Sequence, residues 1–448
     1  MAVATLISKR LKDVSGSMVL FSIFPSLTLN IEKLFWLRIL KVAELLLEVP
    51  VDYRRPSEAK IRLFARSVQR RSSSAEIEPE ERQLPWLVYL QGGPGIGCSQ
   101  PQDIGWVGPF LDRGYQGNAI KQAEYLRKFR ADSIIRDCEA VRMCLTADYP
   151  LDKKKWSVLG QSFGGFCAIS YLSKFPQGLR EVFTTGGLPP LVTNPDPVLE
   201  KTYGKLQERN RAYYEKFPED AERVKTILCH LQQNNVKVPD GGVLTPERFL
   251  SLGISFGMRG GFDYVHDIVL RCSNDLDAFK FLTRPTISMV DCASTFDNNI
   301  LYAVMHESIY CQRAASNWCA DRVIQKLPNF RIHENPDEIF FTGEMVYKHL
   351  FESSAELRQI KEAADIIASY DDWPELYDKE QLAKNEVPVY SATYVDDMYV
   401  HYDLARDTAA AIKNCKHFIT NTMYHNALRA NTEELLKQLF AMRDDTID

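Results

Sequence analysis

Trp156-Ser157-Val158-Leu159-Gly160-Gln161-Ser162-Phe163-Gly164-Gly165 decides how this chain folds. Trp156 to Leu159 form a short, mostly apolar run suited to a buried strand. Gly160 to Gly164 spells Gly-x-Ser-x-Gly, and Phe166-Cys167-Ala168-Ile169-Ser170-Tyr171-Leu172 continues as a buried helix. Strand, sharp turn and helix in that order turn the motif into a nucleophile elbow. The turn holds Ser162 in a strained backbone conformation, and only small residues fit beside it, hence Gly160 and Gly164. The hydroxyl then stands above the sheet, with a helix N-terminus aiming N–H groups at developing negative charge. The bland alternative is a glycine-rich turn holding an ordinary serine, and the flanking strand and helix weigh against it.

The composition is that of a globular protein. Of 448 residues, 45% are hydrophobic and 25% charged, which is enough for one large domain or two. A net charge of −5 and the lack of a basic stripe argue against a nucleic-acid partner. The ten cysteines are scattered, with no C-x-x-C or Cys/His cluster to suggest zinc. Several sit at apolar helical positions, as reduced core cysteines do, so a cytoplasmic location is expected.

Residues 1–40 form an atypical N-terminal segment. Lys9-Arg10-Leu11-Lys12 before Met18 to Pro25 faintly resembles a signal peptide. No clean cleavage site follows, and the apolar run is too short to span a membrane. The core begins at residue 41. Lys41 to Pro50 and Lys60 to Gln69 read as strands, and 70–83 reads as a polar surface loop of solvated charge. Trp86 to Leu90 is a buried strand. The Gln91-Gly92-Gly93-Pro94-Gly95 loop after it lets backbone N–H groups approach a substrate closely. Residues 101–116 read as a helix and 119–147 as one or two amphipathic helices. Between them an alternating α/β sheet wants a strand that no apolar run supplies. Leu179 to Thr185 is a further strand, ending in Gly186-Gly187-Leu188-Pro189-Pro190. The next strand begins at Val387, so residues 41–190 and 387–448 form the two parts of the core. Residues 191–386 form a helical cap over the sheet's C-terminal edge.

A serine nucleophile needs a base and a group to orient it. In this architecture they follow in the order Ser, Asp or Glu, His. Asp396 and Asp397 come directly after the strand Tyr390 to Val395, and either suits the acid. Of eight histidines, His425 alone follows the next strand, while His417 starts that strand and His401 lies too close to the acid.

These residues resemble a proline iminopeptidase (prolyl aminopeptidase) of the α/β-hydrolase superfamily, the variety with a long cap. The resemblance runs from about residue 41 to the C-terminus. It rests on Gly92-Gly93-Pro94-Gly95, Gly160 to Gly165, Gly186 to Pro190, Asp397-Met398 and His425. Many relatives carry His where this chain has Gln91. The resemblance implies an α/β fold with a mostly parallel sheet and a large helical cap. It also implies release of N-terminal proline from peptides through an acyl-enzyme, with no cofactor, metal or membrane. Ser162, Asp397 and His425 are the expected catalytic residues, with Gly92 or Gly93 and Phe163 supplying the oxyanion donors. Cap carboxylates are expected to bind the substrate's amine: Glu307 in the position of the family's cap glutamate, with Glu344 as a second candidate. Phe163 is a candidate wall for the proline ring. An esterase or amidase of the same fold, or a catalytically impaired relative, remains the alternative reading. The chain departs from the family at residues 13–40 and at Gln116-Gly117. There the family carries a central strand and an Asp-Gln-Arg-Gly type loop. Loss of that strand is expected to isolate the 41–69 hairpin or force it onto Trp86–Leu90.

Overall fold

A computed structural model describes residues 5–12, 18–21, 40–70, 86–93, 118–239, 241–294, 296, 299–332 and 339–445. Nine strands form two sheets. The first, in the order β2-β1-β3-β4, contains β1 (Thr5–Lys12), β2 (Met18–Phe21), β3 (Leu40–Pro50) and β4 (Lys60–Arg70). The second, in the order β5-β6-β7-β8-β9, contains β5 (Leu87–Leu90), β6 (Trp156–Gln161), β7 (Leu179–Thr185), β8 (Val389–Tyr394) and β9 (Cys415–Thr420). The backbone divides into two compact units: residues 1–88, 132–157 and 177–180, and residues 89–131, 158–176 and 181–448.

In the first unit, β3 and β4 pair antiparallel from Leu40↔Arg70 to Pro50↔Lys60, a long hairpin where the sequence reading expects one. Leu45, Leu47 and Val49 are buried, the alternation of a strand with one face in a core. On the other face Glu44 and Arg66 stand opposite each other with oxygen and nitrogen 3.7 Å apart. Within the N-terminal segment, β1 pairs antiparallel with β3 and with β2. Tyr53, in the hairpin loop, donates to Asp137 of the helix Ala131–Leu145 at 2.6 Å.

In the second unit, β8 is parallel to β7 and to β9. All six residues of β8 are buried and β9 is only partly so, as a central strand and an edge strand should be. Between β7 and β8 the secondary structure is helical, including Asp196–Lys216, Asp220–Gln233 and Gly261–Phe279. These helices share a large apolar core built from residues such as Tyr213, Phe249, Phe256 and Phe341. Among the described residues no helix is long and apolar enough to cross a membrane.

The expected strand deletion at Gln116-Gly117 and the expected helix at 101–116 lie outside the described residues. Among the described residues β4 is an edge strand of the first sheet, and β5, the strand before that position in chain order, is an edge strand of the second. A sheet edge carries unpaired N–H and C=O groups. Each such group left buried costs about 1–3 kcal/mol, against a net stability of about 5–15 kcal/mol. Inserting a strand-and-loop segment after Gln116 is therefore expected to raise soluble yield and activity together. Full activity and a cooperative melt from the chain as it stands would contradict this.

Candidate active site

The site is built at the end of β6. Ser162, the residue between β6 and the helix Phe163–Lys174, has φ 57° and ψ −128°. That conformation is costly for a residue with a Cβ, and it is held by its surroundings. The Ser162 N–H donates to Thr185 O at 3.1 Å, and Ser162 O accepts from Gly165 N–H at 2.8 Å. The motif glycines are required sterically. A Cβ on Gly160 would lie 2.3 Å from Gly164 O, and one on Gly164 would lie 2.0 Å from Leu90 O. The elbow helix therefore packs its backbone directly on the strand ends.

This backbone brings together residues far apart in sequence. Ser162 Oγ lies 2.9 Å from His425 Nε2, and His425 Nδ1 lies 2.7 Å from Asp397 Oδ2. Asp397 is fully buried, and its other oxygen accepts the N–H groups of Tyr399 at 2.8 Å and Val400 at 3.0 Å. Its carboxylate is thus fixed from the backbone side while it faces the imidazole. Asp396, the alternative acid, instead points to Lys205 at 3.6 Å and is only half-buried. Burial opposes charge on His425. The charge of Asp397, its hydrogen bond and the charge of Glu344 outweigh burial, so its pKa is raised above the ordinary value. The ring of Tyr399 packs 4.6 Å from that of His425, centroid to centroid.

The expected oxyanion donors flank the serine. Phe163 is the first residue of its helix, where backbone N–H groups have no intrahelical acceptor. Gly92 comes so close that a Cβ on it would lie 2.8 Å from Ser162 Cβ. Gln91, in place of the family's histidine, accepts from Tyr89 at 3.0 Å and Arg429 at 3.2 Å. Pro94 and Gly95 lie outside the described residues.

The two cap carboxylates have different surroundings. Glu307 is buried, and its oxygens accept the N–H groups of Cys319 at 3.0 Å and Ala320 at 2.8 Å, where the helix Cys319–Ile324 begins. Burial dominates and raises its pKa, against the lowering by those N–H bonds. Glu344 accepts from Tyr302 OH and faces His306 Nε2 at 3.7 Å. Burial opposes its charge, but His306, Tyr302 and His425 together hold its pKa below the usual carboxylate value. Glu344 is therefore the carboxylate in electrostatic contact with the triad's imidazole, and Glu307 is committed to a helix terminus. Sequence reasoning missed Tyr302, His306 and Tyr399. The i, i+4, i+8 spacing of Tyr302, His306 and Tyr310 was the available signal for a shared face. Among the described residues no group of three or more His, Cys, Asp or Glu is arranged to hold a metal ion.

The chain is 44% identical to "Proline iminopeptidase aneH" of Aspergillus aculeatus over 431 residues, covering 91% of this chain and 95% of that protein. It is 38% identical to the proline iminopeptidase of Aeromonas sobria over 422 residues, covering 89% of this chain and 95% of that protein. The chain belongs to the proline iminopeptidase family. Its fold is accordingly that of an α/β-hydrolase, with a parallel five-stranded sheet flanked by helices. No protein-family model matches the chain. The crystal structure of a proline iminopeptidase from Mycobacterium smegmatis covers 82% of this chain and 92% of its own. At a TM-score of 0.33 and 12% identity it is too distant a likeness to add to that assignment.

Within this iminopeptidase the two neighbouring aspartates separate by substitution. Asp397→Asn keeps the shape and removes the buried charge, so kcat should fall by about 10⁴. Asp396→Asn should leave kcat within about threefold, as surface changes usually do. Steady-state kinetics of both variants checks the assignment, and a large loss in Asp396→Asn alone would reverse it.

Proposed function

We propose that this protein is a prolyl aminopeptidase that releases proline from peptide N-termini through an acyl-enzyme on Ser162. The observation that carries this reading is the unbroken hydrogen-bonded chain Ser162–His425–Asp397, with Glu344 in electrostatic reach of the same imidazole. Family membership supplies the substrate class.

In this mechanism the Ser162 hydroxyl donates its proton to His425 Nε2 as Oγ attacks the carbonyl of the N-terminal residue. The imidazolium is stabilised by Asp397, which also fixes the tautomer with Nδ1 protonated. The N–H of Phe163 and one N–H from Gly92 or Gly93 hold the oxyanion. His425 then protonates the leaving amine, and water reverses the sequence to free the acid. Glu344, kept ionised, takes the substrate's secondary ammonium by a charge-assisted hydrogen bond. Glu307, held by the helix beginning at Cys319, lends negative charge from behind. Residues 191–386 act as the cap that carries both carboxylates. Cys272, Cys311 and Cys319 are buried free thiols, which supports a reducing, cytoplasmic setting.

Turnover of proline-naphthylamide against a simple acyl ester tests the reading. Preference for the ester would point to an esterase, and turnover of neither to an impaired relative. Glu344→Gln removes the charge and keeps the shape. A charge-assisted bond is worth about 1.5–3 kcal/mol, so kcat/KM on free-amine substrates should fall roughly 10- to 150-fold while esters are spared. Equal losses on both substrates would remove Glu344 from amine binding.

The base must be neutral to act, and the pKa of His425 is raised. The acid limb of kcat/KM should therefore lie above about 6.5, and Glu344→Gln should move it down. The same shift favours the charged folded form. Its contribution to stability is complete below the unfolded pKa and disappears as pH rises through the folded one. An acid limb at or below the ordinary histidine value would contradict this.

A further inference from the structure

His306 stands out among the buried polar groups near the site. It is only 3% exposed, yet neither ring nitrogen has a hydrogen-bond partner among the described residues. Its ring stacks on Tyr302 at 5.3 Å and 20°, and Tyr302 stacks on Phe296 at 5.3 Å and 19°. Tyr310 meets it edge-on at 6.5 Å. A phenylalanine would complete such a ladder without leaving two buried nitrogens unbonded. What an imidazole adds is a charge that can be switched.

That charge would sit between carboxylates. Nε2 is 3.7 Å from Glu344 Oε2, an ion-pair separation rather than a hydrogen bond. Glu307 also feels His306. The groups that meet the ring are Glu344, Tyr302 and Tyr310, and Glu307 interacts with it electrostatically. His425 lies beyond Glu344, and Arg322 beyond Glu307. An imidazolium beside the Glu344 carboxylate balances its charge, and a neutral imidazole leaves that charge uncompensated.

We propose that His306, as imidazolium, is the counter-charge of Glu344 in the empty site, and that the substrate's ammonium replaces it, so that amine binding expels one proton from His306 to solvent. The exchange balances: one cation enters beside Glu344, His306 Nε2 or Nδ1 loses H⁺, and the site's net charge is unchanged. His306 is then a positioning residue, coupling amine recognition to pH without touching the reacting carbonyl. This inference rests on the proposed amine site at Glu344.

The test uses Ser162→Ala, which cannot turn substrate over, with L-prolinamide as ligand. Calorimetry at about pH 6 in two buffers of different ionisation enthalpy counts the protons exchanged. The ligand is itself fully protonated there, since α-amino groups titrate near about 8. The expected result is release approaching about one proton per ligand. Release should vanish in Ser162→Ala/His306→Gln, or in the His306→Asn equivalent if the Gln variant folds poorly, while binding persists through Glu344. No release in Ser162→Ala overturns the exchange and leaves the amine site standing. Undiminished release in the His306 variants assigns the proton to His425 and also overturns it. The neutral isostere tetrahydrofuran-2-carboxamide separates the two ideas: binding it as tightly as prolinamide would remove the amine site, and the exchange with it.

Discussion

The arrangement depends on one backbone constraint, the left-handed φ of Ser162 at the end of β6. That conformation turns the chain so sharply that the serine's carbonyl receives the first N–H bonds of the following helix. Its side chain is left at the strand end facing His425. The constraint explains the glycines around it. Gly164 lets the helix lie on Leu90 O, and Gly186, itself at φ +50°, brings the turn after β7 beneath the triad. A Cβ there would lie 3.1 Å from His425 Nδ1 and 3.2 Å from Asp397 Oδ2. The strain at Ser162 is thus balanced by close backbone packing from three strand ends, and the nucleophile is positioned before any substrate arrives.

Electrostatics is layered on that scaffold. Asp397 is dry and held by two backbone N–H groups, which keeps it available as an acceptor for the imidazole. Glu344 adds a second negative charge on the cap side. An imidazole between two carboxylates protonates more readily than a free one. If Glu344 takes the substrate's ammonium, as proposed, substrate recognition and base strength are coupled through one residue.

Much of this was legible in the sequence because the chemistry is tied to chain order. Strand alternation in Leu45, Leu47 and Val49, the apolar run of β8 and the elbow motif each carry a local signal. His425 was singled out from eight histidines by position alone. Asp396 and Asp397 could not be separated that way, because adjacent residues of one type differ only in the direction their side chains take. The backbone sends Asp396 to Lys205 and solvent, and Asp397 to the core. The pairing of β1 with β3 was not legible, since a charged strand declares itself only through a partner some 30 residues away. The difference between Glu307 and Glu344 was equally hidden. Both are cap carboxylates, and only the fold shows one bonded to a helix terminus and the other beside His306.

The central claim is that Ser162 is a preorganised nucleophile facing a site for a free N-terminal prolyl group. Labelling with a fluorophosphonate, in which Oγ attacks phosphorus and fluoride leaves, measures it most directly. Mass spectrometry should find a single adduct on Ser162. L-prolinamide should slow its formation, and N-acetyl-prolinamide, which has no cationic amine, should not. No adduct, an adduct on another residue, or equal protection by the two amides would contradict the claim.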